Sequence, residues 1–184
     1  MLLTMKWPAN IYRRFIASTR GVAAVEFALI LPMMLLLLLA SFDAGNGIAI
    51  YMKVRSATAV LADISNQYKT IHDSDMQQIL GATSVVLTPY SSSPVVVVVS
   101  QLKITALGTA TVSWSDTLNG AARSVGSSLT IPNAFTPINS YLIFSEVSYT
   151  FTPLFGFFTK APITLKDSLY SVPRSSASIS RVSP

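Results

Sequence analysis

Three groupings of residues in this chain could do chemistry. His72 stands beside Asp73 and Asp75, the materials of an acid–base pair, yet neighbours in sequence on a helix point in different directions. That group reads as a solvated helix end. Asp73-x-Asp75 could open a calcium loop, but no glycine follows at the sixth place and no glutamate at the twelfth. Asp63-x-Ser65 could begin a cation site, but Gln67 occupies the place a second serine would need. The chain has no cysteine and one histidine, which removes thiolate chemistry, disulfides and histidine-rich metal sites. The residues therefore predict no catalytic, cofactor-binding or metal-binding group and no small-molecule substrate. The chain does not read as an enzyme.

The third grouping directs chemistry instead of performing it. Gly21 lacks a side chain, so a protease can approach the backbone closely there. Five residues later Glu26 carries the one charge in the apolar run Val22–Phe42. At mid-membrane an ionised side chain costs on the order of 2.5–3.5 kcal/mol. Glu26 lies near one end of the run, so it either reaches the headgroups or meets a specific partner.

The element that positions Glu26 is the run itself. Twenty-one residues, from Val22 to Phe42, are enough for a helix to cross a hydrocarbon core of roughly 30 Å. A cleaved secretory signal has a shorter core and a small-residue site, which Ala40-Ser41-Phe42 matches poorly. Pro32 removes one backbone donor inside the run and predicts a kink. Composition agrees with a membrane protein. Hydrophobic residues make up 51% and charged residues 11%, against about 25% charged in ordinary soluble proteins. The net charge of +5 is concentrated in Lys6, Arg13, Arg14 and Arg20. The basic residues beyond are scattered, without the stripe that phosphate binding needs, so no nucleic-acid partner is expected. A basic leader before the span predicts a cytoplasmic N-terminus and a C-terminal domain on the far side.

Arg20-Gly21-Val22-Ala23-Ala24-Val25-Glu26-Phe27 resembles the type IV prepilin class. There a membrane-embedded prepilin peptidase cuts after the glycine, and the glutamate becomes the fifth mature residue. The longer stretch RGVAAVEFALILPMMLLLLLASFDAG is similar to the TadE/TadG-like minor pilins (pseudopilins) of the Tad (tight-adherence, Flp) pilus. The resemblance covers residues 13–60. It implies processing between Gly21 and Val22, with Glu26 neutralising the Val22 ammonium of a neighbouring subunit and setting axial register. It also implies a minor pilin in the bacterial inner membrane, its C-terminal domain periplasmic or carried into an extracellular pilus. The implied partners are the peptidase, other pilin subunits and pilus assembly proteins. Two departures matter. The major Flp pilin is far shorter and has Glu-Tyr where this chain has Glu26-Phe27. The failed motif at Asp63 also sets aside the larger TadG-like proteins with a von Willebrand-type domain. An unprocessed single-span assembly scaffold is the alternative.

Beyond the span, Ile50, Val54, Ala57, Leu61, Ile64, Tyr68 and Ile71 recur at steps of four and three, an apolar helical stripe. Arg55, Ser56, Asp63, Asn66 and Thr70 fall on the other face. The stripe reads as the side packed on the protein's own sheet, with a coiled-coil seam as the alternative. A bend is expected at Gly45-Asn46-Gly47, because glycine costs about 1 kcal/mol in a helix interior. Ser74 with Gln77 suggests a capping box for a short second helix, Asp75–Leu80, stopped by Gly81. Strands are expected at Val85–Thr88, Val95–Leu107, Ala110–Ser115, Tyr141–Thr152 and, as an edge, Ile163–Tyr170. Gly108-Thr109 reads as the hairpin turn, Asn119–Ser128 as a mobile loop. Phe151, Phe155, Phe157 and Phe158 around Pro153 and Gly156 form either a hairpin core or a patch for a neighbouring subunit. The predicted class is α+β, a long N-terminal helix packed on an antiparallel β-sheet, as in pilins. The layout is 1–21 basic leader, 22–42 transmembrane helix, 43–81 amphipathic extension, 82–172 β-rich domain and 173–184 loose tail.

Overall fold

The computed structural model describes residues 21–135, 137–156 and 159–182, so the leader up to Arg20 and the pair Phe157 and Phe158 lie outside the described residues. Helix α1 (Val22–Gln67) is a single element of 46 residues, about 70 Å long. It is followed by β1 (Thr70–His72), α2 (Asp73–Leu87), β2 (Val95–Ala106), β3 (Thr109–Leu118), β4 (Ser128–Thr130), β5 (Tyr141–Phe151), β6 (Ile163–Ser171) and β7 (Ser180–Val182). Five strands form one antiparallel sheet in the order β4-β3-β2-β5-β6. The architecture is α+β, with a long N-terminal apolar helix, as the residue patterns predict.

The helical stripe does pack on the sheet. Ile50, Val54, Ala57 and Leu61 are buried with Val95, Val97 and Val99 of β2 and Ile143, Val147 and Tyr149 of β5. The alternate valines of β2 point to one face, as period-2 geometry requires. A second, smaller core lies on the other face, where Leu102, Ile104, Leu142 and Phe144 meet Ile131 and residues of β3. Strand β3 serves both cores because it carries one extra residue. Gln101 pairs with Trp114 but Leu102 pairs with Val112, so Ser113 is unmatched. Such a bulge reverses which side chains face which side. Trp114 thereby joins the helix-side core, while Val112 and Ala110 join the other.

Several expectations need correction. Helix α1 runs through Pro32 and through Gly45-Asn46-Gly47 as one helical element. Gly47 is held in the helix for a packing reason. A Cβ there would lie 3.3 Å from the Phe151 ring, so the missing side chain lets the end of β5 approach α1. Helix α2 is longer than its pattern suggests, running through Gly81 and converting Val85–Leu87 from expected strand to helix. Met76, Ile79, Leu80, Thr83 and Leu87 form its buried stripe, and that packing overrides the β preference of the valines. Its cap is set two residues earlier than expected, with the His72 N–H donating to Asp75 Oδ2 at 2.9 Å. The hairpin turn is Leu107-Gly108, with Gly108 at φ +73°, and Ala106 pairs with Thr109.

The loop between β3 and β4 is tied down. Arg123 makes a forked pair with Glu146 at 2.6–3.0 Å, and the Asn119 side-chain amide donates to the Val95 carbonyl at 3.0 Å. The tail read as loose is docked as well. Strand β7 pairs in parallel with β1, and Ile179 is buried. The Trp114 indole N–H donates to the Ile179 carbonyl at 2.9 Å, and the Ile179 N–H donates to Gln101 Oε1 at 2.7 Å. Arg181 bonds Asp116 at 2.9 and 3.0 Å and pairs with Asp73 at 2.5 Å. Chiefly through the hydrogen bond to Asp116, these partners raise the guanidinium pKa above its usual value and hold it charged. Asn66, expected on the solvent face, is buried, and its carbonyl accepts the Arg174 N–H at 3.3 Å.

The two glycines of α1 should respond oppositely to substitution. A Cβ at Gly45 meets nothing within 4 Å, so Gly45→Ala should stabilise the helix by roughly 0.5–1 kcal/mol. Gly47→Leu should destabilise by about 1–3 kcal/mol by displacing Phe151. Thermal unfolding of the detergent-solubilised chain, read by circular dichroism, measures both.

Candidate assembly and membrane interface

Among the described residues, α1 is exposed at every position from Val22 to Leu38. None of its most apolar window is buried, and Leu29, Met33 and Leu38 are 75%, 66% and 64% exposed. Soluble monomers do not leave contiguous apolar surface of this extent in water. This one helix is long and apolar enough to cross a membrane, which suggests a single-pass membrane protein. Backbone donors and acceptors inside such a helix are satisfied within it. The exception is the Ala28 carbonyl, which would accept from residue 32, where proline has no N–H.

The sequence-predicted residues fall along this exposed stretch. Gly21 immediately precedes the helix, and nothing lies within 4 Å of where its Cβ would be. Val22 is the first helical residue. Glu26 is exposed one turn further on, and the two share a helix face by their spacing of four. The acids of the groupings at His72 and Asp63 meet partners in the fold. Asp75 caps α2, Asp73 pairs with Arg181, and Asp63 pairs with Arg174 at 2.9 Å. Each acid is engaged by a structural partner.

Sequence reasoning missed Asp43. Its carboxylate is buried at the point where the apolar run ends, and it accepts three successive backbone N–H groups from the connection between β5 and β6. Oδ1 accepts from Leu154 at 2.9 Å, Oδ2 from Gly156 at 2.9 Å, and the Phe155 N–H is shared at 3.1 and 3.3 Å. Phe42 and Phe155 pack edge to face with ring centroids 5.8 Å apart. Charge-assisted bonds to consecutive amides are strong, and they fasten the far end of the sheet to α1. The only hint in the sequence was an acid directly after the span. The 111-residue separation from Leu154 hid the partner. Of the aromatic cluster, Phe151 is half-buried against α1 and Phe155 is at the surface.

A polar depression of about 570 Å³ on the other side of the sheet is lined by Arg123, Glu146, Lys166 and Asp167. Arg123 and Glu146 satisfy one another there, and Arg123 also lies 5.4 Å from the centre of the Phe144 ring. Phe144 stacks on Tyr170, whose phenol pKa is raised by burial and by the charge of Glu146.

Comparison with known proteins bears on this interface directly. Residues 21–63 match the family model described as TadE-like protein, consistent with a TadE-like protein of the Tad pilus system. The matched segment takes in Gly21, Glu26, Pro32 and Asp43 and stops before the sheet. No curated protein and no solved structure matches the chain.

Removing the Asp43 carboxylate should release the sheet's far end. Asp43→Ala leaves three amides without their acceptor, a loss on the order of 2–3 kcal/mol once water partly replaces it. Trypsin should then cut after Lys160 faster than in the wild type, while circular dichroism shows unchanged helix content. Equal cutting rates would show that the carboxylate does not hold the connection.

Proposed function

We propose that this chain is a minor pilin or pseudopilin, a structural and non-catalytic subunit of a Tad-type pilus. On this reading α1 anchors it in the bacterial inner membrane with the N-terminus cytoplasmic and the folded domain periplasmic. A prepilin peptidase removes the leader between Gly21 and Val22, and the mature subunit joins other pilins and assembly proteins. The TadE-like match supports the Tad pilus association. The observation that carries the finer reading is the coincidence at Gly21. The α-helix begins at the next residue, no described atom lies within 4 Å of a Cβ at Gly21, and the apolar surface beyond is uncovered among the described residues. Room at Gly21 suits the approach of a protease, and packing of helix against helix in a filament uses the apolar surface. The basic leader supports the orientation.

Protein isolated from cells that contain the cognate peptidase should begin at Val22 by intact mass. A bulky residue at Gly21 should leave the leader in place. A mature wild-type chain still beginning at Met1 would favour the unprocessed single-span scaffold.

Glu26 offers a separate check on assembly. If it pairs with the Val22 ammonium of an adjacent subunit, Glu26→Gln strands that ammonium in low dielectric, a loss of about 3–5 kcal/mol by analogy with broken buried pairs. Crosslinking to pilus components should then fall while leader removal continues. Unchanged crosslinking would mean the carboxylate only reaches the headgroups.

A further inference from the structure

We propose that residues 154–156, at the start of the connection between β5 and β6, together with the groove beside them on α1, form a lipid-docking element. Leu154 and Phe155 rest at the boundary between hydrocarbon and headgroups of the bilayer that α1 crosses, and an acyl chain of that leaflet reaches into the groove from its end at Ala40 and Ala44. The proposal rests on Val22–Phe42 spanning the membrane and is independent of processing or filament entry.

The first argument is axial distance. At 1.5 Å per residue, Val22–Phe42 covers about 32 Å, close to the hydrocarbon thickness, and a single headgroup layer of about 5–7 Å takes roughly three to five residues more. Residues 43–47 therefore run through the headgroup layer. Asp43 binds the amides of Leu154, Phe155 and Gly156, so these residues sit at the inner edge of the same layer. The carboxylate does not oppose this placement, because three N–H donors already satisfy it.

The second argument is the surface presented at that level. Leu154 and Phe155 are 73% and 40% exposed, and on the adjoining turns of α1 Ile48 and Met52 are 62% and 64% exposed. These apolar groups form a collar that continues the apolar surface of the span, as an interfacial layer favours. Between hairpin and helix lies a groove of about 420 Å³. Ala40, Ala44 and Gly47 form its helical wall and leave room, while Phe151, Ile163 and Leu165 form the opposite wall. Its dimensions and lining suit a hydrocarbon chain.

The third argument is charge. After Asp43, α1 carries Lys53 and Arg55 and no acid until Asp63, and the segment 152–162 carries Lys160 and no acid. Cations flanking an apolar collar complement anionic headgroups.

The chain has no cysteine, so a single introduced one can be labelled without background. The full chain, carrying a polarity-sensitive fluorophore at Leu154→Cys, Val125→Cys or Leu36→Cys, would be reconstituted in phosphatidylcholine–phosphatidylglycerol vesicles. Val125 is 71% exposed and lies on the loop between β3 and β4, and Leu36 lies within the span. Lipid bearing a nitroxide near the headgroup should quench the Leu154 label severalfold more than the Val125 label. Lipid with the nitroxide at the chain end should quench the Leu36 label. If Leu36 is quenched while Leu154 behaves like Val125, the docking proposal is overturned and the span stands. If Leu36 escapes quenching, the span reading fails and takes the proposal with it. Quenching at Leu154 that disappears as protein is diluted in lipid would assign the surface to a second copy and overturn the proposal.

Discussion

Between Ala40 and Gly47, α1 passes from a stretch with no partner among the described residues to one covered by the protein's own core. The carboxylate of Asp43 stands at that changeover and binds three consecutive amides of the β5–β6 connection. Everything packed on α1 is aligned from this point. The end of β5 meets the helix at Gly47, and the valines of β2 and β5 then follow Ile50, Val54, Ala57 and Leu61. A rigid helix transmits position along its length, so the domain's height above the apolar segment is set where the two are fastened together. For a membrane-anchored subunit that height decides which surfaces meet lipid and which meet neighbours.

The charged residues of the folded part are mostly spent on closure. Arg181 joins β7 to Asp116 of β3 and Asp73 of α2, so the C-terminal strand, the sheet and the second helix are tied by one guanidinium. Arg123 closes the loop between β3 and β4 over the sheet through Glu146. A forked guanidinium–carboxylate pair fixes direction as well as distance, which suits loops without regular hydrogen bonding of their own. Edge strand β6 carries Lys166 and Asp167, which discourage another strand from adding to it.

Much of the fold was legible because local chemistry is read at short range. The span, the stripe from Ile50 to Ile71 and strands β2, β5 and β6 each follow from periodicity over a dozen residues or fewer. The candidate processing and register residues were legible for the same reason, since Gly21, Val22 and Glu26 lie within six positions of one another. The misreadings have a common source. Val85–Leu87 looked like strand until the buried side of α2 was known, and the packing reason for Gly47 was hidden until Phe151 was seen to need the space. The tail looked loose because Ile179 and Arg181 meet partners 65 to 108 residues away.

The sequence by itself determined the class of the molecule and the chemistry of its N-terminal segment: an apolar helix of membrane length, an acid one turn inside it, a glycine before it, and a β-rich remainder. Those properties depend on residue type and near spacing, and no distant contact can alter them. Tertiary structure alone decided that Asp43 is the fastening point, that Ser113 is the bulge dividing β3 between two cores, and that the C-terminal strand closes the domain. Each of these joins residues whose separation along the chain carries no signal. A carboxylate among apolar neighbours shows that it must be satisfied, and only the folded chain shows which amides satisfy it.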